Sequence, residues 1–281
     1  MNKTIKGVDI SHLKIIKKIN KKANVDLIFC HGIATEPGLH YKITKEIKNV
    51  NHYDLGFPAH FDTEVKFTYK QLNIQYFAKL LVLFLRKNPD LKNIVLAGHS
   101  MGCAVIMIAL KMMNKEDRNR IKQIVLSAPL TINTIFTAIK FSKYFTVNAY
   151  KVDEKIITRF FKDLFHDYQK FVKDFNKWFD LEFYKKHQND QKKLALSIMS
   201  PATIKSILTS YHSFKNYEKV TIITADKDTL VPFTIMRSYI KRFLKGAKHI
   251  ELKKAGHAFI LEYKKEYIDI LKGVIKNAKA K

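Results

Sequence analysis

A chain of 281 residues, 47% hydrophobic and 27% charged, carries enough apolar mass for a large core, which excludes a disordered, collagen-like or coiled-coil chain. A net charge of +26 would ordinarily point to nucleic acid, but only six of the 51 basic residues are arginine and no zinc-finger spacing, RNP-like motif or arginine stripe accompanies them. The lysines, spread from Lys3 to Lys281, therefore read as solvated surface charge: nucleic acid is not expected as a partner, and an anionic membrane surface is the candidate that the charge leaves open.

In chain order, the stretch from Met1 to Asn24 is lysine-rich and never reaches a seven-residue apolar run, so no signal-peptide core is expected in it. Asp26 to Cys30 is a short apolar run that stops at His31-Gly32, which predicts a buried strand. From Val65 to Lys87, Phe67, Leu72, Ile74, Phe77, Leu80, Leu81, Phe84 and Leu85 recur near helical spacing, and a helix is expected over that span. Ile94 to Ala97, ending at Gly98, predicts a second buried strand, Met101 to Met113 a helix, and Gln123 to Ser127, stopped by Pro129, a third strand. Beyond an interruption, Val220 to Ala225 and Lys248 to Leu252 read as strands, with a helix from Phe233 to Leu244 between them.

Strand and helix in repeated alternation predict an α/β fold, a mostly parallel sheet with helices on both faces. The interruption, 130–214, passes without a convincing strand and is dense in aromatic residues, so it reads as a helical cap inserted between core segments 1–129 and 215–281. Within it Phe161, Phe165, Tyr168, Val172, Phe175 and Phe179 alternate in steps of four and three, which sets one apolar stripe on a helix. That stripe either packs on its own domain or belongs to a cap whose apolar face lines an acyl pocket or touches lipid. No run approaches the roughly 18 apolar residues of a membrane-spanning helix. Cys30 and Cys103 lie in apolar surroundings and are too few for a disulfide framework. A reducing, cytoplasmic setting is expected, at most peripheral to a membrane.

Gly98-His99-Ser100-Met101-Gly102 is a GxSxG pentapeptide. With nine glycines and ten serines in the chain, such a match would arise by accident in about one sequence in a hundred. It lies between a predicted strand and a predicted helix, the setting of a nucleophile elbow, where a strained turn exposes the serine oxygen. A serine hydroxyl is a weak nucleophile at neutral pH and needs a base and a carboxylate, here in the order serine, acid, histidine. The loop after Val220 to Ala225 offers Asp226 and Asp228, and Ala255-Gly256-His257 follows the last strand. Catalytic groups of open α/β sheets gather at such loops beyond strand ends.

On these residues the chain resembles the α/β-hydrolases, nearest the small esterase, lipase and monoacylglycerol-lipase-like branch. The resemblance implies Asp228 rather than Asp226 as the acid, since Val231-Pro232 follows it, and His257 as the base. It also implies an oxyanion hole made by the backbone amides of Met101, after the nucleophile, and Ile33, after His31-Gly32. His31 reads as a structural histidine bonding that loop. Five of the nine glycines, Gly32, Gly56, Gly98, Gly102 and Gly256, fall at these positions or in Tyr53 to Pro58, which resembles the loop after the family's next strand without its Arg-Gly-His-Gly form. The family's first strands are expected to be reduced or missing.

The expectation is a serine carboxylic-ester hydrolase acting on small-molecule or lipid esters with apolar acyl groups. No metal or organic cofactor is expected, because no clustered ligand spacing or phosphate-cradling loop is present. A thioesterase or amidase on the same triad, and a non-catalytic protein of the membrane surface, are the alternatives.

Overall fold

The computed structural model describes residues 4–131, 159–160, 162–172 and 181–279. Seven strands form one sheet: β1 (Lys14–Lys18), β2 (Asp26–Cys30), β3 (Asn51–Gly56), β4 (Ile94–His99), β5 (Ile121–Ser127), β6 (Val220–Ala225) and β7 (Lys248–Leu252). Their order is β1-β3-β2-β4-β5-β6-β7, with β1 antiparallel to β3 and every other neighbouring pair parallel. The described helices are α1 (Leu39–Thr44), α2 (Ile74–Lys87), α3 (Met101–Met112), α4 (Lys115–Asn119), α5 (Tyr168–Val172), α6 (Leu181–Ile198), α7 (Pro201–Ser213), α8 (Phe233–Phe243), α9 (Phe259–Glu262) and α10 (Lys264–Lys279).

The pleat explains why the central strands read as unbroken apolar runs. Successive side chains of a strand point to opposite faces, and here both faces are covered. On one side Ile28, Cys30 and Leu96 pack with α2, α3 and α7, which contribute Phe77, Leu81, Val105, Ile106 and Tyr211. On the other, Leu27, Phe29 and Val95 meet Ile43 of α1 and Tyr267, Ile268 and Leu271 of α10. Helix α3 is buried from Met101 to Leu110, so it is apolar all round rather than amphipathic.

Two sequence expectations are corrected. The helix expected from Val65 begins at Ile74, where Asn73 caps it by accepting from the Tyr76 amide at 2.8 Å. Phe67 and Leu72 are buried in the preceding turns, against Ala59 and Phe61, and their spacing imitates a helical face. Tyr53 to Gly56, expected as loop, is the end of β3. At the N-terminus one antiparallel strand, β1, stands at the edge of the sheet.

Of the insertion expected over 130–214, the described residues contain helices and no strand. Leu194 and Ile198 of α6 and Ile207 and Tyr211 of α7 join the core under α2 and α3. Within the aromatic stripe, Phe161, Phe175 and Phe179 lie outside the described residues. The described part is not one continuous helix, because 165–167 are irregular between helical residues 162–164 and α5. Among the described residues no helix is long and apolar enough to cross a membrane, and no group of three or more His, Cys, Asp or Glu is placed to hold a metal ion.

Candidate active site

The parallel register carries the chemistry to one edge of the sheet. Cys30 pairs with Gly98, His99 with Ser127, and Ala225 with Leu252. The segments that follow β2, β4, β6 and β7 therefore emerge side by side, bearing Gly32 and Ile33, Ser100, Asp228 and His257 respectively.

Ser100 occupies the turn between β4 and α3 with φ 50° and ψ −113°, a left-handed conformation that a serine adopts only under constraint. Its surroundings supply that constraint: its amide donates to the Ser127 carbonyl at 2.9 Å, and its own carbonyl accepts from the Cys103 amide at 3.1 Å. Gly102 is required here because a Cβ would overlap the Cys30 carbonyl, so any side chain would push α3 away from β2. Met101 is the first residue of α3, and its amide belongs to the opening turn, whose N–H groups lack partners within a helix. The sequence expectation of a strained strand-to-helix elbow agrees with this geometry.

His257 Nδ1 lies 2.8 Å from Asp228 Oδ2. With Nδ1 donating to the carboxylate, the Nε2 of the neutral ring is left as an acceptor. Asp228 is itself held, since its Oδ1 accepts from the Leu230 amide at 2.9 Å and the Val231 amide at 2.7 Å. The two loop residues before Pro232 thus donate the amides that orient the acid. Asp226 acts elsewhere. Its Oδ1 accepts from the Ala255 amide at 3.3 Å, bracing the loop that carries the histidine rather than the imidazole. Ser100, Asp228 and His257 are all buried, at 5%, 6% and 3% exposure.

Ser100 and His257 line one cavity of about 60 Å³, together with Ile33, Leu39, Phe160, Leu164, Phe165 and Leu261 among others. Its wall is largely apolar. The stripe residue Phe165 and its neighbours Phe160 and Leu164 form part of that wall, so this described part of the insertion faces the serine rather than only its own domain.

Three further histidines support the site, two of which the sequence pattern did not single out. His31 Nε2 accepts from the Phe57 amide at 3.1 Å while its Nδ1 donates to the Gly32 carbonyl at 2.8 Å. This is the structural role expected of it. His60 Nε2 accepts from the Ala34 amide at 3.2 Å, and its Nδ1 donates to the Pro58 carbonyl at 3.0 Å. Together the two rings, 4.4 Å apart, pin the segment containing Ile33 to the loop after β3. His99 Nε2 donates to the His257 carbonyl at 3.0 Å, joining the elbow to the histidine loop. Of this support the role of His31 and the adjacency of His99 to Ser100 are visible in the sequence; His60 acts from 26 residues away.

Burial pushes His31 down to about 4 and His99 down to about 3, and it holds His60 well below the ordinary imidazole value. All three are neutral in the folded protein at pH 7. An unfolded chain takes up a proton at each once pH falls below about 6.5, so stability is complete above that value and is lost as pH falls toward the folded values. At pH 5.5 the loss is on the order of 1 kcal/mol per histidine. Urea denaturation at pH 7.5 and 5.5 should show a lower midpoint at pH 5.5, and His60→Gln should reduce that difference. Equal midpoints at the two pH values would contradict neutral burial.

A family model described as alpha/beta hydrolase fold matches residues 27–263 of the chain. Two relatives share the name Putative esterase/lipase 3. That of Mycoplasma genitalium is 28% identical over 240 residues, covering 84% of this chain and 81% of its own. That of Mycoplasma pneumoniae is 30% identical over 246 residues, covering 85% and 82%. Among solved structures, the lip1 protein of Acinetobacter baumannii AYE has the same fold, with a TM-score of 0.75 at 17% identity over 98% of this chain and 91% of its own.

Proposed function

The chain belongs to the α/β-hydrolase fold family, and from that premise we propose that it is an esterase/lipase-type serine hydrolase of carboxylic esters with small apolar acyl groups. One observation carries the reading: a serine held at positive φ shares a cavity with a histidine whose far nitrogen is already bonded to a buried aspartate. The names of the Mycoplasma relatives support the same class.

In this reading Ser100 Oγ attacks the ester carbonyl carbon and His257 Nε2 takes its proton. The amides of Ile33 and Met101 receive the negative charge that develops on the carbonyl oxygen, and each such donor is worth about 3 to 4 kcal/mol of barrier. His257 then gives the proton to the leaving alcohol. Water, deprotonated by the same imidazole, attacks the acyl-serine and restores the hydroxyl. Asp228 keeps the imidazole in the tautomer this sequence needs. The insertion, of which Phe160, Leu164 and Phe165 line the cavity, serves as the cap over the acyl group.

Cavity volume selects among acyl groups. A water needs roughly 10–15 Å³ by the same measure, so about 60 Å³ accommodates about four to six heavy atoms. Burying each added methylene contributes about 0.8 kcal/mol, so kcat/KM should rise about tenfold from acetyl to butyryl esters. Beyond the capacity of the cavity it should fall, and palmitoyl esters should be poor substrates. The test is a series of p-nitrophenyl esters from acetyl to palmitoyl, run beside a fluorophosphonate probe whose adduct is mapped by peptide mass spectrometry. An adduct on Ser100 with an optimum near butyryl supports the proposal. A steady fall from acetyl onward contradicts an apolar pocket, and an adduct accompanied by cleavage of thioesters alone replaces the ester assignment.

A further inference from the structure

We propose that Glu262 is a positioning residue whose single carboxylate couples the catalytic histidine loop to the apolar wall of the acyl cavity; the proposal rests on the ester-hydrolase reading above. Glu262 ends the short helix α9, which begins two residues beyond His257. Its Oε2 accepts from the Gly256 amide at 2.6 Å, immediately before the histidine. Its Oε1 accepts from the His166 amide at 2.6 Å and the Asp167 amide at 3.1 Å, in the segment that follows Leu164 and Phe165. Both of those apolar side chains line the cavity, whereas Glu262 does not.

The contact between the two segments is close along its length. The Ala258 amide donates to the Leu164 carbonyl at 2.8 Å, and Thr229, next to Asp228, donates its hydroxyl to the Asp163 carbonyl at 2.9 Å. A Cβ on Gly256 would stand 2.7 Å from the Leu164 carbonyl oxygen, so glycine is what lets the backbones touch. Amide hydrogen bonds to an ionised carboxylate are short and about twice as strong as neutral ones, and here three of them converge on one side chain. The turn of α9 sets the distance from Gly256 to that carboxylate, with the Ala258 carbonyl accepting from the amides of Leu261 and Glu262.

The wall that senses acyl length and the loop that holds the base therefore move as one body. An acyl group that displaces Leu164 and Phe165 also displaces His257 from Ser100, so a poor fit lowers kcat as well as affinity. Reacting groups shifted by about 1 Å can lose roughly 100-fold in rate. Glu262→Ala releases both tethers. Glu262→Gln retains an oxygen for the His166 and Asp167 amides but turns an NH₂ donor toward the Gly256 amide, releasing only the histidine side.

The experiment compares wild type, Glu262→Ala and Glu262→Gln. It reads kcat and KM for acetyl, butyryl and octanoyl esters, the rate of Ser100 labelling by a fluorophosphonate, and hydrogen–deuterium exchange in peptides spanning 160–172 and 254–263. Glu262→Ala should lower kcat about 10- to 100-fold, flatten the butyryl-over-octanoyl preference and speed exchange in both peptides. Glu262→Gln should keep the protection of 160–172 and the acyl preference in KM, while kcat falls and loses its dependence on acyl length. Faster exchange with unchanged kcat, labelling rate and acyl preference would reduce Glu262 to a structural tie and overturn the proposal, as would unchanged exchange in Glu262→Ala. A wild type that labels at Ser100 without cleaving esters would overturn the substrate reading alone, since slower labelling in both variants would still uphold the coupling.

Discussion

Ser100→Ala should abolish turnover, lowering kcat for a p-nitrophenyl butyrate substrate by about 10⁴- to 10⁶-fold while leaving the fold intact. The size follows from the chemistry: without Oγ no acyl-enzyme forms, and only binding and the oxyanion donors remain to favour direct attack by water. The fold should survive because the backbone bonds that hold the elbow, from the Ser100 amide to Ser127 and from the Cys103 amide to Ser100, do not involve the hydroxyl. An alanine at φ 50° is also strained, but the native serine already bears that conformation. The measurement pairs burst and steady-state kinetics with a thermal melt. Residual activity within tenfold of wild type, in a protein that melts normally, would remove Ser100 from the chemistry.

Asp228→Asn should lower kcat by about 10⁴-fold with little change in KM. The asparagine oxygen can still accept from the Leu230 and Val231 amides, so the loop keeps its shape. What changes is the group facing His257 Nδ1, which becomes an NH₂ donor instead of a carboxylate oxygen. The imidazole then moves its proton to Nε2 and can no longer accept one from the serine. Asp226→Asn is the matched control. Its oxygen can keep the bond to the Ala255 amide, and its rate should stay within about threefold of wild type because it holds no proton on the imidazole. Equal losses from the two substitutions would mean that loop stability rather than tautomer control sets the rate.

Strands β2 and β6 occupy the residue spans expected of them, because strands in a sheet covered on both faces are short apolar runs with sharp ends, and β7, half-buried at the other edge of the sheet, also occupies its expected span. Strand β1 was not legible for the opposite reason. It is an edge strand whose lysines, Lys14, Lys17 and Lys18, face solvent, and edges are commonly marked by such charge. Strand β3 was hidden by buried polar residues. Its buried Asp54 accepts from the Tyr41 amide of α1 at 2.9 Å through Oδ2 and faces His40 of the same helix through Oδ1 at 3.7 Å, contacts that no local pattern in the strand announces. Ser100 and His257 were legible as candidates because each follows a strand end in a fixed order, whereas that order left Asp226 and Asp228 both open and only the family resemblance pointed to Asp228. His60 and Glu262 were not, because their partners lie 26 and as many as 96 residues away and no local pattern announces them.

Strands β5 and β6 are neighbours in the sheet although the whole insertion runs between Ser127 and Val220. The entropy of closing such a loop grows only logarithmically, by about 0.6 kcal/mol for each doubling of its length. Lengthening the connection is therefore nearly neutral for the sheet where it leaves α6 and α7 intact, because their Leu194, Ile198, Ile207 and Tyr211 belong to the core under α2 and α3. That freedom stops at the core residues of α6 and α7 and at the segment from Leu164 to Asp167, which is hydrogen-bonded to the loop carrying His257.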